Sequence, residues 1–127
     1  MIRIIDGCST GKTKKLILLA EKHNYPIVCS NPLAMKYKAS AYGVRGVDFI
    51  DYKTFIYQTD TLNEPFLVDE LEDFVIYWVE NMTDCGCGKI NYTHQMLEED
   101  LEALLDNKYD FLAGYTLTRD DNEIWKY

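Results

Sequence analysis

The chain has no apolar run approaching the roughly 20 residues that cross a bilayer. Its first apolar residues, Ile2, Ile4 and Ile5, are broken at once by Arg3 and Asp6, so the opening does not read as a secretory signal. A membrane span is not expected, and the reading is cytoplasmic. Proline is scarce at 3 residues, and no repeat, low-complexity tract or proline-rich linker divides the 127 residues. One domain over 1–127 is therefore expected. Cysteine is limited to Cys8, Cys29, Cys85 and Cys87, which in a chain without a secretory signal are expected as thiols and not as a disulfide framework. Cys85 and Cys87 with His94 offer three zinc-type donors, but a CxC spacing is tighter than zinc sites use and no second pair follows. A glycine-rich loop with incidental thiols is the expectation there, and packing roles for Cys8 and Cys29.

Basic residues are scarce in one half only. Residues 1–53 carry nine Lys and Arg against four Asp and Glu, whereas residues 54–127 carry four against seventeen, giving the net charge of −8. An overall acid excess disfavours non-specific binding to nucleic acid. A basic front half suits a smaller anionic ligand at one end of the molecule.

What is present is an alternation of strand and helix patterns. IRIID (2–6) reads as a short strand and residues 11–23 as a helix with Leu16, Ile17, Leu19 and Ala20 on its apolar face. PIVCS (26–30) is a second strand. A helix follows with Asn31 as N-cap, Pro32 at its first position and Gly43 as its stop. VDFID (47–51) is a third strand with the short helix YKTFIYQ after it, and PFLV (65–68) is a fourth. Helices are expected over 69–82 and 92–107, then a fifth strand through 114–118, with a possible hairpin made by EIWKY at the end. Strands alternating with helices imply an α/β fold: a mostly parallel five-stranded sheet between two helical layers.

Two motifs fall at strand ends. DGCSTGKTKK (6–15) follows the first strand and opens a helix. In a P-loop of the pattern GxxxxGK[ST], backbone N–H groups and the helix dipole cradle phosphates, the lysine reaches the terminal phosphates, and the hydroxyl meets Mg²⁺. Gly11, Lys12 and Thr13 meet the last three demands, while the first glycine position holds Asp6, with Gly7 one step later. The nucleotide-binding residues expected are Gly7, Cys8, Ser9, Thr10, Gly11, Lys12, Thr13 and Lys14. The second motif is VDE: an apolar strand ending in Asp69 and Glu70, as in a Walker B element. Asp69 with Thr13 would serve Mg²⁺, and Glu70 would orient the attacking water, with Lys12 as the catalytic cation.

The loop resembles that of superfamily 1 helicases, keeping the second glycine of their pattern as Gly7 and GKT as Gly11 to Thr13. VCSNPLAM, VDFIDYKTF, VDE and GYTLT fall where a RecA-like lobe has its second to fifth strands, the last ending in a polar sensor of the γ-phosphate. The resemblance implies a P-loop NTPase fold over nearly the whole chain, with ATP and Mg²⁺ as cofactors. The chain also resembles small P-loop proteins of bacteriophages and prophages, which implies no particular activity. It departs from the helicases in having no room for a second lobe, so a translocating helicase is not expected of the lone chain.

Three readings follow: a compact ATP-binding protein, at most a slow ATPase working with a protein partner; a degenerate P-loop scaffold that holds another protein through its acidic half; and a small-molecule phosphotransferase of the thymidine kinase type.

Overall fold

The computed structural model describes residues 1–58, 64–82 and 98–119. The element order is β1 (Ile2–Asp6), α1 (Lys12–His23), β2 (Ile27–Cys29), α2 (Pro32–Ala41), β3 (Phe49–Asp51), α3 (Tyr52–Gln58), β4 (Phe66–Val68), α4 (Leu71–Met82), α5 (Glu98–Lys108) and β5 (Leu112–Thr118). The CGCG segment, residues 92–97 of the last expected helix and the expected terminal hairpin lie outside the described residues.

All five strands are parallel, in the order β1-β5-β4-β2-β3. Side-chain alternation along the strands builds one core on each face. Ile27, Cys29 and Leu67 point to the face covered by α1 and α2, where Leu16, Ile17, Ala20, Met35 and Ala39 pack. Val28, Phe66 and Val68 point to the face covered by α3, α4 and α5, through Phe55, Phe74, Leu101 and Leu105. The expected α/β architecture with helices on both faces is therefore what the chain forms.

Local chemistry sets the helix limits. Asn31 caps α2, its Oδ1 accepting from Ala34 N–H at 3.1 Å, with Pro32 at the first turn and Gly43 (φ 80°) beyond the end. α1 begins at Lys12 and not at Gly11, because Gly11 is left-handed at φ 84°. α4 begins at Leu71 and not at Asp69, because Glu70 is also left-handed, at φ 57°.

β5 lies between β1 and β4, and its register slips by one residue opposite Phe66 and Leu67. The extra residue lets Ala113 pack on the α1/α2 core while Gly114 comes close to Leu67 of that same core. A Cβ at Gly114 would sit 3.0 Å from the Ile2 carbonyl oxygen and 3.1 Å from Leu67 Cδ2. Gly114→Val is expected to destabilise the fold by about 1–3 kcal/mol through overpacking, read as a lower urea midpoint at unchanged m-value. An unchanged midpoint would show that the edge strand β1 moves aside freely.

Candidate functional site at the carboxyl ends of β1, β5 and β4

A parallel sheet puts every strand's carboxyl end on one edge, and a crevice opens there where successive connections leave toward opposite faces. The chain leaves β1 toward α1 on one face and leaves β4 toward α4 on the other. Between them lies the end of β5. A cavity of about 460 Å³ occupies this place, lined by residues 8–14, Asp69, Glu70, Thr116 and Thr118, with Lys38 and Tyr42 of the α2 end as its outer wall.

The loop from Gly7 to Gly11 is held around one carbonyl. Gly7 O accepts from Thr10 Oγ1 at 3.1 Å and also from Lys12 Nζ, which reaches back across the loop. Lys12 thus rests on the loop, not in open solvent, and it remains on the cavity wall. Gly11 requires glycine for its left-handed backbone. Gly7 does not line the cavity, and a Cβ there would meet nothing within 4 Å. Asp6, the residue that departs from the motif, is exposed and accepts Gly7 N–H on Oδ1 at 2.8 Å. Water and this backbone donor take up its charge, which weakens the repulsion it exerts on an anion in the loop. Lys14 extends over the Tyr42 ring, 5.4 Å from its centroid. Cys8 is an exposed thiol of the loop, whereas burial and the nearby Asp69 push the Cys29 thiol up to about 12, leaving it an inert packing group.

Across the cavity stands Asp69, nearly fully buried. Its carboxylate accepts from Thr13 Oγ1, 56 residues earlier, at 3.3 and 3.4 Å, and from the buried Thr116 Oγ1 at 2.5 Å. Thr116 Oγ1 in turn accepts from Glu70 N–H at 2.7 Å. From the other side the Tyr52 hydroxyl donates to the carbonyls of Asp69, at 2.9 Å, and Glu70, at 3.4 Å. These ties hold Glu70 in its left-handed conformation, which is unfavourable for a residue with a Cβ. Of the three described non-glycine residues with positive φ, Ser9, Asn24 and Glu70, two belong to this cavity. Asn24 is an ordinary left-handed helix cap.

Glu70 is pushed up to about 7, first by its side-chain hydrogen bond with Asp73, then by burial and by the negative charges of Asp73, Asp69 and Glu72. Glu72 also rises to about 7 through burial, partly offset by backbone hydrogen bonds and by Lys12; its Oε2 is buried without a hydrogen-bond partner. The cavity therefore has a cationic, N–H-rich wall from the loop and an acidic wall from the β4–α4 turn.

The donor set fits Mg²⁺. That ion holds oxygens at about 2.0–2.1 Å, so neighbouring ligands of its octahedron lie about 3 Å apart, and it takes one or two carboxylates with substrate phosphates and water. Thr13 Oγ1 and an Asp69 oxygen stand 3.3 Å apart. Among the described residues no three His, Cys, Asp or Glu side chains gather as a metal cage.

Every expected site residue except Gly7 reaches this one cavity. Thr116 belongs to the GYTLT segment singled out in the sequence, but its bond to Asp69 carried no signal there. Tyr52, Glu72 and Asp73 were not expected; only the acid-rich run DELED hinted at the last two. Compared with known proteins, the chain matches no family model, and no curated protein and no solved structure resembles it significantly. None of the described helices is long and apolar enough to cross a membrane.

Proposed function

We propose that this chain binds ATP with Mg²⁺ in the loop after β1 and hydrolyses it slowly, as a single P-loop NTPase-like lobe of RecA type. The observation that carries this reading is the meeting of Thr13 and Asp69 at 3.3 Å across the loop cavity. A chance GKT and a chance Asp–Glu pair have no reason to converge on one crevice from strands two positions apart. The backbone of residues 8–12 and the start of α1 receive the phosphates. Lys12 exchanges the Gly7 carbonyl for a phosphate oxygen, Thr13 and Asp69 hold Mg²⁺, and Thr116 holds the Asp69 carboxylate in place. Bound Mg²⁺ supplies charge neutralisation at the phosphates. Glu70, at the head of α4, accepts the proton of the attacking water. No described residue of the cavity supplies an arginine, and a stabilising arginine is worth about 10³–10⁵ in rate. Slow turnover by the lone chain follows, with a protein partner as the source of faster turnover.

Thermal melting with and without Mg-ATP tests the binding half of this reading. Glu70→Gln tests the other half: the amide preserves shape but cannot take a proton, so turnover is expected to fall about 10²- to 10⁴-fold with the Mg-ATP melting shift retained. In the parent protein turnover should rise from pH 6 to pH 8, because Glu70 is protonated below about 7 and works as the ionised base. Equal turnover in parent and variant, measured as phosphate release, assigns Glu70 to holding the turn before α4.

A further inference from the structure

The connections diverge a second time along the same edge of the sheet. The chain leaves β2 toward α2 on one face and its neighbour β3 toward α3 on the other. The crevice rule that accounts for the loop cavity applies equally here, and the larger cavity of the two, about 630 Å³, lies at this place between Ser30–Pro32, Asp51–Lys53 and α4. Its volume falls in the range of about 300–1,000 Å³ that suits metabolite-sized ligands.

Its lining selects the ligand by charge. Three carboxylates, Asp51, Asp73 and Glu80, face one ammonium, Lys53. A nucleotide or other polyanion is repelled. Among the described residues these carboxylates do not gather into a metal-holding group. They are spread around a cavity, as contacts to a molecule are. The apolar part of the lining includes the Tyr52 and Tyr77 rings, 5.8 Å apart and tilted by 49°. The Tyr52 hydroxyl is directed to the Asp69 and Glu70 carbonyls, so toward the cavity this residue offers its ring. Asn31 Oδ1 and Asp51 Oδ1 are engaged as caps of α2 and α3, by Ala34 N–H at 3.1 Å and Thr54 N–H at 2.6 Å. Glu80 and the Tyr77 ring are left to recognise a ligand, with Asp73, whose carboxyl is shared with Glu70, adding negative charge beside them. Carboxylates beside aromatic faces are what an ammonium group with an apolar body requires.

We infer that this cavity is a binding site for a small organic cation, an amine of metabolite size, separate from the nucleotide site. The inference goes beyond the ATP-binding reading and does not depend on it. Asp73 joins the two cavities, lining this one while its carboxyl shares a hydrogen bond with Glu70 of the other.

Ligand-observed NMR on the full chain tests it, with benzylamine, tyramine and phenyltrimethylammonium as probes and benzoate and 4-hydroxyphenylacetate as their anionic counterparts. The amines are expected to bind at or below about 10 mM, and the carboxylates are not. Glu80→Lys, on the exposed side of α4, and Tyr77→Leu should each weaken amine binding about fivefold or more. Lys12→Ala should leave amine binding unchanged, so a chain that fails to bind ATP still reports on this site. Amines that do not bind by 10 mM, carboxylates that bind as well as amines, or amine binding indifferent to both Glu80→Lys and Tyr77→Leu would each overturn the inference.

Discussion

Lys12→Ala is expected to abolish the rise in melting temperature that Mg-ATP gives the parent protein. At a ligand concentration a hundredfold above Kd, binding to the folded state alone adds about 2.7 kcal/mol, roughly 10 °C for a domain of this size. The variant loses the cation that the loop holds over its own Gly7 carbonyl on the cavity wall. Without ligand its stability should change little. Lys12 Nζ donates to the Gly7 carbonyl, Thr10 still donates to that oxygen in the variant, and a part-buried bond of this kind contributes about 0.5–1.5 kcal/mol. A variant that melts near the parent temperature and ignores Mg-ATP separates loss of the site from loss of the fold. Equal shifts in both proteins would place nucleotide binding elsewhere.

The loop was readable because its demands are local. Gly11 must reach φ 84° within a tight turn, Lys12 and Thr13 must open a helix, and an apolar strand must come just before. Each of these is written in fewer than a dozen consecutive residues. The same holds for the α2 cap at Asn31 and for Asp69 at a strand end. Tyr52 and the bond of Thr116 to Asp69 were not readable from the sequence because they are distances across the fold, whereas Asp73 meets Glu70 only three residues away and was hidden in an acid-rich run. The Tyr52 hydroxyl reaches a carbonyl 17 residues away, and Thr116 reaches a carboxylate 47 residues away. Strand order is non-local in the same sense. Periodicity revealed five strands, but nothing in residues 112–118 states that they insert between β1 and β4, which is what delivers Thr116 to Asp69. The left-handed Glu70 was concealed by composition, since Asp and Glu at a helix start are favoured by the helix dipole and read as an ordinary first turn. The Tyr52 and Thr116 bonds that hold Glu70 there move the helix start to Leu71.

Asp69→Asn is expected to cut turnover sharply with little effect on folding. The side chain is buried and its acceptors are directed at two hydroxyls, Thr13 and Thr116. An asparagine keeps an oxygen for Thr116 and turns an NH₂ toward Thr13, whose hydroxyl then accepts, so no buried group is stranded. Asp69→Ala, by contrast, leaves both hydroxyls without their acceptor, and an unsatisfied buried group costs about 1–3 kcal/mol. The alanine variant should therefore melt earlier than the asparagine variant. Mg²⁺ distinguishes the two in the other direction. A neutral amide cannot offset the ion's charge, and charge stabilisation by such an ion is worth several kcal/mol at the transition state, about 10²-fold or more in rate. Phosphate release followed over a Mg²⁺ titration should show this loss in Asp69→Asn, together with a higher Mg²⁺ requirement. Parent-like turnover at equal Mg²⁺ would show that Asp69 serves only to tie β4 to β5 and α1 through Thr116 and Thr13. The proximity of Thr13 and Asp69 would then be a packing contact, and the observation that carries the ATP-binding reading would no longer support it.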